Sequence, residues 1–200
     1  TLRTSPDDYR TAHELPGWVA AFGGLAPDAA RADGFDRPAF EAALDRLDPG
    51  PAVLRDHVKS AKHDWETACY IPDTSDREAA WEIAQNLVRI RGQEATGGLV
   101  ARRFVALEGP ELRSWWVDGR PVGVGLHPDE PAWVEMPVDA GLEAALAEVG
   151  ERVAALGLPF VTVDLSPGEG RWWVIELGDG QVSDRRRDAD PAALIAALAR

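Results

Sequence analysis

The chain has 200 residues, 45% hydrophobic and 28% charged, enough to bury a core in one ordinary domain or two small ones. Its 34 acidic residues outweigh 21 basic ones for a net charge of −13. A field of that sign excludes non-specific nucleic-acid binding and adhesion to an anionic membrane. The longest apolar run, Ala192 to Ala199, is far shorter than the roughly 20 residues of a bilayer-spanning helix. No basic segment followed by an apolar stretch opens the chain, so no signal peptide is expected. The single cysteine, Cys69, cannot form an intrachain disulfide, and a reducing cytoplasm fits it best.

Residues 1–35 read as irregular, punctuated by Ser5-Pro6-Asp7-Asp8, Leu15-Pro16-Gly17, Gly23-Gly24 and Ala26-Pro27. Pro38 to Leu47 reads as a helix with Phe40, Ala43, Leu44 and Leu47 on one face and Pro38 near its first turn. Ala52 to Val58 and Thr67 to Ile71 read as strands of a hairpin, with Lys59 to Asp64 as its charged tip. Ser75 to Arg91 reads as a helix opened by a capping box of Ser75 and Glu78. A strand is expected over Leu99 to Leu107. Leu112–Val117 and Pro121–Leu126 then form a hairpin around Asp118-Gly119, a type I′ signal. Val138 to Leu156 reads as a second long helix. Phe160–Leu165 and Arg171–Leu177 read as strands joined by the loop Ser166 to Gly170, and a short helix follows Asp190-Pro191. Antiparallel hairpins with helices set apart argue α+β rather than a doubly wound sheet. Glu94 to Gly98 is the expected boundary between two lobes.

The chemistry begins with Asp164 and Glu176, each interrupting an apolar strand. Hairpin pairing with an index sum near 338 or 340 sets Asp164 opposite Val174 or Glu176, and either register leaves the two carboxylates on one face. Close, partly buried carboxylates repel unless one is protonated or a cation sits between them. Oxygen-only ligands favour Mg²⁺ or Mn²⁺, and Asp179 offers a third oxygen. Arg55, Lys59 and Lys62 in the first lobe, with Arg102, Arg103 and Arg113 in the second, form a basic set that a metal alone does not need but a metal-bound triphosphate does. The chain's only lysines are Lys59 and Lys62. An ammonium is a compact point charge suited to phosphate oxygens. No P-loop, helix-opening Gly-x-Gly-x-x-Gly or Gly-x-Ser-x-Gly is present. His13, His57, His63 and His127 are scattered and read as buried or solvated, Cys69 reads as core, and one tryptophan of each pair Trp115-Trp116 and Trp172-Trp173 is expected in the core.

The order of these segments resembles the ATP-grasp ligases, in the clade with Arg/Lys variation at nucleotide-binding positions. The matching segments are Tyr9 to Pro16, Arg55 to Trp65, Ala68 to Pro72, Ala101 to Val105, Glu111-Leu112-Arg113, Val163-Asp164 and Ile175 to Ser183. The resemblance implies two lobes of antiparallel sheet plus helices clamping a nucleotide, with a lid lobe over residues 36–95 and a metal-bearing lobe over 96–200. It implies ATP and Mg²⁺ (or Mn²⁺) as cofactors and a reaction in which a carboxylate is phosphorylated and an amine or thiol then displaces phosphate. Arg55 and Lys59 would face the phosphates, and Arg102, Phe104 and Val105 would form the hinge beside the adenine. Glu111 would belong to the nucleotide site. Arg113 would steady the γ-phosphate or the acyl phosphate, with Lys59 as its catalytic partner. Asp164, Glu176 and Asp179 would hold the metal, Asp179 substituting for the asparagine that many relatives carry where this chain has Gly178. Arg103 stands where the hinge commonly has Glu. The implied partners are small-molecule or peptide carboxylate and amine substrates, with a homodimer as the candidate assembly and no nucleic acid or membrane. Family members usually carry a preceding domain, so residues 1–35 read as a remnant linker to one. The rival functions are a non-catalytic nucleotide-binding module of the same fold and a hydrolase using the carboxylate pair as acid and base.

Overall fold

The computed structural model describes residues 2–137 and 139–199. Among them, no helix is long and apolar enough to cross a membrane. The chain forms two compact units, one of residues 27–104 and the other of residues 1–26 with 105–200. Each holds one four-stranded antiparallel sheet, which is the α+β architecture that the sequence predicts.

The unit of residues 27–104 is built on strands β1 (Ala29–Arg31), β2 (Ala52–Asp56), β3 (Tyr70–Ile71) and β4 (Leu99–Arg103), in the order β1-β4-β2-β3. Helices α3 (Arg37–Leu44) and α4 (Arg77–Arg91) belong to it. Their apolar stripes share one core with Ala52, Leu54, Leu99 and Ala101. Strand alternation puts those four residues on one face. The unit's boundary differs from the expected Glu94–Gly98 because β4 pairs with both β1 and β2, so the chain leaves only after Phe104. The strand expected to reach Leu107 stops at Arg103, where the Phe104 amide turns to the Pro51 carbonyl at 2.9 Å. The expected β2–β3 hairpin is not formed as such: Trp65–Cys69 winds into a helical turn whose Thr67 carbonyl accepts from Asn86 Nδ2 at 2.9 Å, leaving only Tyr70–Ile71 as strand. Helix α4 is capped by Asp76, which accepts from the Ala79 amide, while Ser75 instead donates to Asp73. The expected Ser75–Glu78 box is therefore displaced by a better-placed carboxylate.

The other unit carries β5 (Leu112–Val117), β6 (Arg120–Leu126), β7 (Phe160–Gly168) and β8 (Arg171–Asp179), in the order β6-β5-β7-β8. Helices α1 (Pro6–His13), α2 (Leu15–Trp18), α5 (Ala140–Leu156) and α6 (Ala192–Leu198) belong to it. Residues 1–35 are thus less irregular than expected. Ser5 and Asp8 form a reciprocal capping box, and Pro6 opens α1. The expected start of the long helix at Val138 lies outside the described residues; Asp139 caps α5 through the Leu142 amide at 2.7 Å. The β5–β6 turn has Asp118 at φ 48° and Gly119 at φ 73°, as a type I′ turn requires. The β7–β8 turn is shorter than expected. Both strands run on to a two-residue Glu169-Gly170 turn with φ 53° and 73°.

Leu112, Trp116, Val161, Val163, Leu165, Val174 and Leu177 are buried, as are Val149 and Val153 of α5. Trp116 satisfies its indole by donating to Ser114 Oγ, which donates to the Val163 carbonyl, both at 2.9 Å. Trp172 and Trp173 are both buried, against the expectation of one. Trp173 donates to the Gly168 carbonyl and lies under the Arg171 guanidinium, so a tryptophan off the core face is covered by its own hairpin.

Candidate functional site

The site grows from the register of the second sheet. Arg113 on β5 pairs with Gly125 on β6 and Asp164 on β7, and Asp164 pairs with Glu176 on β8. These four residues form one row across the sheet, on the face opposite the core. The pairing then slips: Leu165 pairs with Val174, leaving Ile175 as an extra residue in β8. Residues two apart in a strand share a face, so without this bulge Val174 would follow Glu176 out of the core. The bulge lets β8 bury Val174 and still present Glu176 beside Asp164.

The two ends of the row differ in electrostatic state. The Asp164 side chain is 3% exposed and that of Arg113 13%. Arg113 donates from Nε to Oδ1 and from Nη2 to Oδ2, both at 2.8 Å, a two-pronged pair that fits the guanidinium fork. Arg113 also donates from Nη1 to the Asp184 carbonyl at 2.9 Å. Burial alone would lower the Arg113 pKa. The hydrogen bonds and charge of Asp164, with Glu111 and Glu176 behind it, outweigh that and hold it above its ordinary value. Glu176 is half-buried. Its carboxylate accepts no hydrogen bond from any described residue, which leaves it the oxygen donor of the row most open to a ligand.

One further residue joins the site that sequence reasoning had set aside. His127, just past β6, donates its amide to the Glu111 carbonyl at 2.8 Å. Its Nε2 lies 2.7 Å from Arg113 Nη2 and 3.8 Å from Asp164 Oδ2. Burial pushes the imidazole pKa down, and the neighbouring Arg113 cation acts in the same sense against the pull of Asp164. The ring is therefore held neutral, with Nε2 accepting from Arg113. Ligand atoms of Glu111, His127 and Asp164 lie within 4.8 Å of one another. That spacing could suit a metal, but the Arg113 guanidinium already supplies a cation there. The hairpin arithmetic could have found His127: the sum 238 that pairs Leu112 with Leu126 and Arg113 with Gly125 also pairs Glu111 with His127.

The remaining expected residues are distributed as follows. Asp179 sits on the opposite face of β8 from Glu176. It is 1% exposed and its Oδ1 accepts from the Gln181 amide and Thr4 Oγ1, so it secures the turn after β8 and is not brought to Glu176. Gly178 faces the site side, where an added Cβ would come within 2.9 Å of Thr162 Oγ1. Val105 is buried against Gly168. In the other unit, Arg55 and Arg102 share the sheet face opposite the Leu54–Ala101 core, because Arg55 pairs with Val100 and Arg102 with Val53. Arg103 points to the opposite face from Arg102. Arg55 donates to the Val58 carbonyl. Phe104 packs against Tyr70 and Trp65, with ring centroids 5.3 and 6.2 Å away.

Lys59 follows β2 in a loop organised by a buried carboxylate. Asp56 is fully buried. Its Oδ1 accepts from the amides of Val58 and Lys59 at 2.7 and 2.6 Å, and its Oδ2 from Arg91 Nε and the Thr96 amide at 3.0 and 3.3 Å. The Asp56 amide in turn donates to the Lys59 carbonyl at 3.0 Å. Both backbone groups of Lys59 are thus tied to one residue.

Residues 43–198 match the model of a family described as an ATP-grasp domain, clade family 3. No curated protein matches the sequence. The structure is similar to that of C-terminally truncated Cdc123 from Schizosaccharomyces pombe, at 12% identity and a TM-score of 0.60, covering 90% of this chain and 87% of the other. It is similar to D-alanine–D-alanine ligase from Bacillus anthracis complexed with ATP, at 16% identity and a TM-score of 0.60, covering 98% of this chain but 62% of the ligase. It is also similar to the ATP-grasp ligase PsnB complexed with minimal precursor, Mg and ADP, at 15% identity and a TM-score of 0.58, covering 98% of this chain and 62% of that one. This chain therefore spans under two thirds of the length of these two ligases. The family match covers most of the chain, which belongs to this family of ATP-grasp domains.

Proposed function

We propose that this ATP-grasp protein is an ATP- and Mg²⁺-dependent ligase that joins a carboxylate to an amine or thiol through an acyl phosphate. The observation that carries the reading is the row Arg113–Asp164–Glu176, a buried guanidinium followed by one paired and one open carboxylate on a single sheet face. The substrate carboxylate takes the γ-phosphoryl group of ATP and ADP leaves. The amine or thiol then attacks the acyl carbon, expels phosphate and gives up a proton.

The donor set fits Mg²⁺, since Asp164 and Glu176 are oxygen ligands in direct register on adjacent strands. When bound, Mg²⁺ supplies neutralising charge to phosphate oxygens. Gly178 has no side-chain donor and Asp179 is engaged elsewhere, so the chain offers two carboxylates. Arg113 keeps its charge through Asp164 and would hold the transferred phosphoryl oxygens, where a fixed cation favours the charge that develops. Arg55, Lys59 and Arg102 would add phosphate contacts from the unit of residues 27–104. Phe104 and Val105, where the chain passes from one unit to the other, would line the adenine, with Glu111 at the nucleotide.

A second reading, a nucleotide-binding module without turnover, is favoured by one observation: both Asp164 oxygens are occupied by Arg113. Thermal denaturation with Mg²⁺-ATP tests nucleotide binding. A ligand at one hundred times its Kd stabilises the native state by about 2.7 kcal/mol, and Glu176→Gln should lose most of that gain. No gain in the wild type would refute both readings, and an undiminished gain in Glu176→Gln would remove it from the metal shell. ATP turnover that rises with a carboxylate and an amine together separates ligase from module.

A further inference from the structure

On the same sheet face as Arg113 lies a pocket whose floor the sequence leaves bare. Strand β6 is the edge of its sheet, and its site-facing residues are Gly123, paired with Trp115, and Gly125, paired with Arg113. Neither glycine has a positive φ. A Cβ added to either would meet nothing within 4 Å. Backbone conformation and packing therefore give no reason for glycine there, although glycine weakens a strand. Glycine in a strand interior also marks places where a ligand approaches the backbone closely.

The pocket above this floor measures about 140 Å³. Trp115 and Arg113 line one side, and Leu194 and Ala193 of α6 with Ala189 supply apolar wall. Arg185, Arg186, Asp184 and Asp190 complete the lining. The three guanidiniums differ. Arg113 is paired with Asp164 and Arg186 with Asp188. Arg185 makes no salt bridge among the described residues and donates only from Nη1, to the carbonyls of Arg186 and Ala189. Its cation remains for a ligand anion. Asp184 and Asp190 are exposed. Asp190 Oδ1 accepts from the Ala192 amide, and no described side chain pairs with either carboxylate.

We propose that this pocket binds a small α-amino acid as its zwitterion. Arg185 takes the α-carboxylate, Asp184 and Asp190 take the α-ammonium, and the side chain lies on the Gly123–Gly125 floor against Trp115 and Leu194. One open cation, two open carboxylates and an apolar wall in one small space match the charges and bulk of that ligand class. That the bound amino acid serves as a reactant rests on the ligase reading; its binding does not.

Calorimetric titration tests this with alanine and valine, each compared with the amine and the acid that lack one charge: ethylamine and propanoate, isobutylamine and isovalerate. Titrations are run with and without Mg²⁺-ATP, whose own binding is measured in parallel. The amino acids should bind roughly tenfold or more tighter than either partial analogue. Arg185→Gln should erase the preference over the amine, and the Asp184→Asn, Asp190→Asn double variant the preference over the acid. Gly123→Val should abolish binding by filling the floor. If that variant proves unfolded by circular dichroism, Arg185→Gln on its turn decides. Binding of Mg²⁺-ATP with no binding of either amino acid would overturn the pocket alone, as would Arg185→Gln binding like wild type. Amino-acid binding without Mg²⁺-ATP binding would leave the pocket standing and refute the ligase reading. Binding of neither would overturn both.

Discussion

Asp164→Asn is the most informative perturbation of the site, because it changes one charge without changing shape. In the wild type the carboxylate accepts two Arg113 hydrogen bonds at 2.8 Å, with 3% and 13% of the two side chains exposed. Removing one partner of such a pair leaves a cation without compensation and costs about 3–5 kcal/mol. Asparagine keeps one acceptor oxygen, so the low end, about 3 kcal/mol, applies. For a chain of this length each kcal/mol moves Tm by about 2–4 °C, so the expected fall is about 6–12 °C. Replacing both residues, as Arg113→Met with Asp164→Leu, should recover much of the loss, because the desolvation cost of both charges disappears together. Thermal and urea denaturation of the four proteins in a double-mutant cycle measures the coupling. A fall under about 2 °C for Asp164→Asn, or strict additivity across the cycle, would refute a buried, tightly coupled pair.

Three further outcomes follow from named contacts. The His127 pKa is depressed in the folded state, so its contribution to stability is present above its unfolded pKa near 6.5 and is lost as pH falls through the lower folded value; His127→Gln should flatten the stability profile between about pH 7 and 5. Gly97→Ala should destabilise severely, because Gly97 has φ 73° and its new Cβ would lie 2.0 Å from His57 Nδ1; denaturation at wild-type Cm would contradict this. Lys59→Ala should weaken Mg²⁺-ATP binding roughly tenfold or more, with Lys59→Arg a partial rescue, since a planar fork does not replace a point charge; equal calorimetric affinities would return Lys59 to a solvated loop.

The sequence makes the second sheet legible because its strands alternate and its turns carry strong signals. Asp118-Gly119 set the β5–β6 register closely enough to align Arg113 with Gly125. The β7–β8 pairing is harder to read because the bulge at Ile175 is invisible in a run of Trp, Trp, Val and Ile. The arithmetic therefore left Val174 and Glu176 as equal partners for Asp164. The first sheet is less legible. Its shortest strand, Tyr70–Ile71, survives only where a helical turn ends, and side-chain placement decides that over local propensity. Asp179 shows the limit of motif reading. It lies three residues from Glu176, yet strand alternation turns it away, and Gln181 and Thr4 claim it.

The sheet row also explains how a chain of net charge −13 can serve an anionic nucleotide. Exposed carboxylates far from a site are screened by salt beyond about 10 Å, so the local arrangement decides. Asp164 compensates Arg113 when no nucleotide is bound, at the cost of occupying a carboxylate that Mg²⁺ needs. Glu176 and the pair's geometry then impose an order: a phosphate that draws Arg113 away releases Asp164, and the released carboxylate strengthens the metal site. Nucleotide and metal therefore bind with positive coupling, each tightening the other by the same factor. This follows from Arg113 and Asp164 sharing two hydrogen bonds, and it requires no movement of the backbone.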